Sequence, residues 1–212
     1  MTEITIFKNI KDTSTPFYRD VGFILKRIKE GKSKEVVQAI RTEKDKDKRN
    51  KLKSTLPAIC FSGTFNKRND NSLIDHSGLI CLDFDGYANK KELMAERSRI
   101  IADRYVYSCF ISPSGDGLKV IVKIPKDSMN HKHYFNSLGE HFSSEHFDST
   151  SKNISRVCYE SYDPLVYLNP NSEVWDKIVQ DTKQYSTEDT LLPKIRLTKK
   201  DEIIRRLKLW WE

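Results

Sequence analysis

The chain has 212 residues, 37% of them hydrophobic and 32% charged, and its 37 Lys and Arg against 30 Asp and Glu give a net charge of +7. Ten Phe, nine Tyr and three Trp supply a core, which argues against disorder throughout; no apolar run approaches the roughly 20 residues that a membrane-spanning helix needs. The first residues lack the basic stretch and apolar stretch of a secretory signal, and the basic balance suits a phosphate-rich partner, nucleic acid or nucleotide.

Along the chain, Phe17, Val21, Ile24, Leu25 and Ile28 recur at helical spacing, and Gly31 is a natural stop. Ser33 is placed to cap a second helix carrying Val36, Val37 and Ile40. The charge run that follows, RTEKDKDKRNKLK, reads as a solvated helix or loop rather than a nucleic-acid contact. From Leu56 the texture changes to strands. LPAICFSGTF reads as a strand and turn, and SGLICLDFDG as a buried strand ending in carboxylates. KELMAERSRIIA reads as a helix. YVYSCFI and LKVIVKI, joined by the turn cluster SPSGDG, read as a hairpin. HYFNSLGEHF has helical spacing, SRVCYES and LVYL are short strands, and SEVWDKIV reads as a helix with Val174, Trp175, Ile178 and Val179 inward.

This order predicts an α+β fold, an open sheet covered by helices on one face. Three regions follow: an N-terminal helical segment packed on the core (1–55), the core itself (56–182), and a polar linker with a C-terminal amphipathic helix (183–212) that leads into a further domain. The four cysteines, Cys60, Cys81, Cys109 and Cys158, form no CxxC pair and read as reduced core thiols of a cytoplasmic protein.

Three constellations carry chemistry. Asp83 and Asp85 flank Phe84 on one strand, so their carboxylates share a face. Two such carboxylates call for positive charge between them, and an oxygen-only ligand set suits Mg²⁺ or Mn²⁺. In the turn, Ser114, Gly115 and Gly117 offer hydroxyl and backbone donors to an anion, with Lys119 and Lys123 on one face of the next strand. Downstream, Asp148 offers a third carboxylate and Arg156 a guanidinium for bidentate contact with phosphate. The histidines crowding 131–146 lack the spacing of a zinc site and read as ordinary; His76, beside the acidic strand, is placed to line a cleft.

The blocks LPAICFSGTF, HSGLICLDFDG, SPSGDGLKVIVKI and SRVCYESYDP, in this order, resemble the archaeo-eukaryotic primase (primase-polymerase) superfamily, and within it the VirE N-terminal-domain branch, over about residues 1–170. The resemblance implies a primase-polymerase-like core with an RRM-like, mostly antiparallel sheet. It implies Asp83, Asp85 and Asp148 as catalytic, metal-binding acids for Mg²⁺ or Mn²⁺. It implies nucleotide contacts from Ser114, Gly115, Gly117, Lys119, Lys123 and Arg156. The activity implied is nucleotidyl transfer on a single-stranded DNA template from nucleoside triphosphates, in replication of a mobile element or phage, with a helicase domain or subunit as partner. Lys119 stands where the superfamily has histidine, which favours an alternative: a catalytically weak nucleic-acid-binding initiation module of the same fold. LDFDG also resembles the opening motif of haloacid-dehalogenase-type phosphatases, a more distant alternative that requires a doubly wound parallel sheet.

Overall fold

Every strand ladder in residues 2–178, the residues that the computed structural model of this chain describes, is antiparallel. The central sheet contains β6 (Leu79–Asp85), β7 (Val106–Ile111), β8 (Gly117–Lys123) and β10 (Tyr167–Leu168), in the order β10-β7-β8-β6. The expected hairpin is present as β7 and β8. Because β8 lies between β6 and β7 and opposes both, those two run parallel, joined by α4 (Lys90–Ile101). α4 and α5 (His131–Phe142) bury Leu93, Ile100, Phe135, Leu138 and Phe142 against Ile80, Leu82, Phe84, Leu118, Val120 and Val122. Each such side chain contributes about 1.5–3 kcal/mol on burial.

The opposite face of this sheet is covered as well. A second sheet, β2 (Phe17–Asp20), β1 (Glu3–Phe7), β3 (Ala58–Cys60) and β9 (Cys158–Tyr159) in that order, lies there with α1 (Val21–Glu30). Ile4, Ile24, Leu25, Ile28, Ile59 and Phe61 meet Phe110 and Ile121, with the Cys81 side chain at the edge of the cluster. A two-stranded ribbon, β4 (Gly63–Phe65) with β5 (Leu73–His76), completes the strands. α2 (Lys34–Thr42) and α3 (Lys46–Lys53) form a smaller cluster through Val37, Ile40, Leu52 and Leu56.

Several local expectations need correction. The first helix starts at Val21, not Phe17. Residues 17–20 pair with β1, Phe17 is exposed, and Asp20 caps the helix by accepting the Gly22 N–H at 2.8 Å while its other oxygen takes the Thr2 N–H at 3.0 Å. Its end at Gly31 is as expected, with φ of +79°, a conformation glycine adopts without strain. Ser33 sits at the N-cap of α2 but makes no cap bond; its hydroxyl donates to Glu160 instead. SEVWDKIV is not helical over its described residues, and Val174 and Ile178, expected inward, are exposed. Trp175 is buried because its backbone N–H donates to Lys123 O and its indole N–H to Ser137 Oγ, both at 2.8 Å, so a tertiary contact overrides the helical spacing. The linker and C-terminal helix expected over 183–212 lie outside the described residues. No described helix is long and apolar enough to cross a membrane. Cys60, Cys109 and Cys158 are free and buried, and burial pushes the Cys60 and Cys109 thiols up to about 12.

Candidate active site

Alternation along β6 sorts its side chains. Ile80, Leu82 and Phe84 enter the core under α4 and α5, while Leu79, Cys81, Asp83 and Asp85 take the other face. Leu79 and Cys81 belong to the core between the sheets. Asp83 and Asp85 lie farther along, towards the end of the strand, where that core runs out.

Register sets their partners: Asp83 lies opposite Lys119, and Asp85 opposite Gly117. The Lys119 ammonium closes on Asp83 Oδ2, with both side chains largely buried. Burial alone would lower the Lys119 pKa, but the Asp83 and Asp85 carboxylates outweigh it and hold the ammonium charged. Asp83 Oδ1 is buried and has no hydrogen-bond partner among the described residues. Asp85 is at the exposed end of the strand, yet enough protein surrounds its carboxyl that burial pushes it up; Lys119 opposes this, Asp83 adds to it, and the carboxyl stands at about 6. Gly117 is required by close approach, since a methyl group there would run into Asp85 Oδ1 and the Phe84 carbonyl. The Ser112–Gly117 turn closes with Gly115 N–H donating to Ser112 O and with Gly115 at φ of +84°. Ser114 is half-buried in this turn, and Ser112 Oγ is buried without a partner among the described residues.

The segment after α5 extends the sheet edge. Phe147 bridges Phe84, Asp85 N–H donates to His146 O, and Asp148 N–H donates to Asp83 O, each backbone bond at 2.9 Å. This register puts Asp148 beside Asp83. Its carboxylate, however, is engaged in its own loop: it accepts from Thr150 N–H and Oγ1 and from Ser151 Oγ, at 3.0, 2.6 and 2.6 Å, and lies 3.7 Å from Arg156. Burial pushes this carboxyl up, but the Ser151 and Thr150 bonds outweigh it and hold it below its usual value. Among the described residues, no three His, Cys, Asp or Glu side chains converge into a ready metal centre.

The structure therefore brings together Asp83, Asp85, Gly117 and Lys119, and places Asp148 and Arg156 at their margin. It does not bring in Lys123. That ammonium lies four residues along β8, donating to Pro170 O and Ser172 O at 2.6 and 3.2 Å. His76 does not line this site either. It pairs with His131 at 3.1 Å, and both are buried.

Two cations from the charge run were missed. Arg41 packs over Gly115 and donates to Ser112 O and Tyr162 O, at 3.0 and 2.9 Å, clasping the turn. Lys53 is half-buried: burial lowers its pKa, with Asp116 and Asp85 acting against that and Arg49 and Lys119 with it. α3 thus turns part of its charge towards the site. The density of Lys and Arg over 41–53 was the available signal, but the run has no periodicity to show which side chains turn inward.

Two carboxylates on one strand face, one with a buried oxygen that has no partner among the described residues and the other raised to about 6, share a single ammonium, that of Lys119. That fits a divalent cation of the Mg²⁺ or Mn²⁺ type. The phosphatase reading fails on topology, because the strand carrying LDFDG lies beside an antiparallel neighbour and not in a doubly wound parallel sheet.

Residues 51–168 match the family model described as BT4734-like, N-terminal domain. Among solved structures, the AEP domain of the cyanophage S-2L primase-polymerase is similar at 12% identity, over 82% of this chain and 83% of that one, with a TM-score of 0.42. No curated protein matches.

Proposed function

The chain belongs to the family of BT4734-like N-terminal domains, and we propose that it is a metal-dependent nucleotidyltransferase of primase-polymerase type, joining nucleotides on a single-stranded DNA template. The observation that carries this reading is the Asp83–Asp85 pair, with its unpartnered oxygen and its raised carboxyl, backed by Lys119. The order of the sequence blocks supports it. Asp83 and Asp85 would hold the cation, with Asp148 as a third ligand from the neighbouring sheet edge. Bound there, a divalent cation would lower the pKa of an attacking 3′-hydroxyl and stabilise the leaving pyrophosphate. Lys119 fixes the Asp83 rotamer and adds a positive charge where phosphate charge develops. Gly117 leaves room for the Asp85 carboxylate. The cations of α3 stand beside the turn, suited to the phosphates of nucleotide or template.

A second reading is favoured by one observation: the Lys119 ammonium already holds one Asp83 oxygen and competes with a cation for it. On that reading the domain binds nucleic acid with weak catalysis. Incubation with labelled nucleotides, a single-stranded template with and without primer, and Mg²⁺ or Mn²⁺ separates the two. Product from the wild type that is lost in Asp83→Asn/Asp85→Asn supports the transferase. A folded protein that binds template and makes no product supports the binding module, and activity then gained in Lys119→His would locate the cause.

A further inference from the structure

The end of β6 is held by more than its own strand. Asp85 is the last residue of the ladder, and Gly86 after it has φ of +85°, with open space where a side chain would begin. A strand end that runs into such a glycine has little of its own to stop it fraying. Yet both main-chain groups of Asp85 are engaged, and by one residue. Its N–H donates to the His146 carbonyl at 2.9 Å, and its carbonyl accepts from His146 Nδ1 at 3.0 Å.

The imidazole is braced from behind. Its other nitrogen, Nε2, faces Glu92 Oε1 at 3.2 Å, and the His146 side chain is only 18% exposed. Glu92 is itself fixed. Its Oε2 accepts the Ala88 N–H at 3.0 Å, and its own N–H donates to Asn89 Oδ1 at 3.0 Å, at the start of α4. The Tyr87 ring lies against the imidazole with centroids 4.0 Å apart, and the Tyr87 N–H donates to Asp116 O at 3.1 Å. His146 therefore joins three pieces of chain: the end of β6, the start of α4, and the segment that reaches Asp148 two residues later. These contacts leave the Asp83, Asp85 and Asp148 carboxylates untouched, so they act on the main chain that carries them.

We propose that His146, braced by Glu92, is a positioning residue: it fixes where Asp85 stands relative to Asp148, and with that the spacing of the carboxylates offered to a divalent cation. The inference rests on the transferase reading for the cation, and on the main-chain contacts alone for the clamp. Side chains that orient a metal's ligands without touching the metal commonly carry about 10- to 100-fold of its affinity.

The test compares three substitutions in the full chain. His146→Leu removes both ring contacts. His146→Asn places an amide N–H close to where Nδ1 stands and keeps the bond to the Asp85 carbonyl, whereas His146→Gln places its amide near Nε2 and keeps only the Glu92 side. The readouts are Mn²⁺ affinity by calorimetry and hydrogen exchange of the Asp85 amide by NMR, with melting temperature as the control for folding. His146→Leu and His146→Gln should weaken Mn²⁺ about tenfold or more and speed Asp85 exchange about tenfold, and His146→Asn should recover most of both. A general loss of stability would not separate Asn from Gln in this way, so if His146→Leu disturbs the fold that pair decides. If the wild type takes up no Mn²⁺, the transferase reading fails while Asp85 exchange still decides the clamp. Wild-type Mn²⁺ affinity in folded His146→Leu, equal losses in His146→Asn and His146→Gln, or unchanged Asp85 exchange overturns the proposal.

Discussion

Two clusters of buried charge in this molecule are built in opposite ways. In one, Glu160 is enclosed: Arg27 meets it through Nε and Nη2, at 2.6 and 3.1 Å, and the Ser33 hydroxyl donates to it as well. In the other, Lys119 holds one oxygen of Asp83, the second oxygen has no partner among the described residues, and Asp85 crowds the pair. The first cluster is closed on itself and joins α1 and α2 to the segment after β9. The second is incomplete and lies where the core between the sheets ends. A buried polar group is tolerated when its bonds are complete, and an incomplete one marks a place where a ligand can complete them. A similar contrast holds elsewhere: Lys123 donates to two carbonyls, whereas Arg68 Nε has no acceptor among the described residues.

The contrast breaks most visibly through activity. Asp83→Asn should reduce nucleotide incorporation about 10³-fold or more, while its amide oxygen still accepts from Lys119 and the fold is kept. Arg27→Ala should do the reverse. It leaves the buried Glu160 carboxylate without its cation and should destabilise the fold by about 3–5 kcal/mol in a denaturant titration. Changing Arg27 and Glu160 together to apolar residues should recover much of that loss, because no unpaired charge remains.

Asp85→Asn sharpens the comparison in a different direction. The folded-state pKa of Asp85 is raised to about 6, so its ionised form is disfavoured in the fold at neutral pH without a cation. Removing that charge should raise the melting temperature in EDTA by roughly a few degrees and abolish the further rise that Mn²⁺ gives the wild type. A melting temperature lowered in EDTA would mean that the carboxylate is structural.

The smallest effect concerns pH. His76 Nδ1 accepts the Gly78 N–H, so its Nε2–H donates to His131 Nδ1, and the buried pair is neutral. Burial, chiefly, lowers both, His131 to about 3. The unfolded chain takes up these protons first, near pH 6.5, so the pair's contribution is complete above that pH and is lost progressively as pH falls towards about 3. Stability measured from pH 7.5 to 5 should decline, and His131→Phe should flatten the decline.

Much of this was legible in the sequence because it is local. Period-two alternation put Asp83 and Asp85 on one face and Phe84 on the other, and a glycine turn between two β-rich runs specified the β7–β8 hairpin; the pairing of β8 with β6, which sets Lys119 opposite Asp83, is a separate long-range ladder. The second sheet was not legible, because β1 pairs with β3 and β3 with β9 across long stretches of chain, and strands of two to five residues carry little pattern. Lys53, Arg41 and Arg68 were hidden for a related reason. They lie in polar runs where nothing in the spacing tells an inward-turned cation from a solvated one. The resemblance led to Asp148 and Arg156, but only the register along β6 shows how close Asp148 comes to Asp83.

The most direct test of the central claim is Mn²⁺ binding followed by electron paramagnetic resonance, in the wild type and in Asp83→Asn/Asp85→Asn, without nucleotide. The wild type should take up Mn²⁺ at a site that the double substitution abolishes while the fold is kept. Equal binding by the two proteins would show that the unpartnered carboxylates of β6 are not where the cation is held.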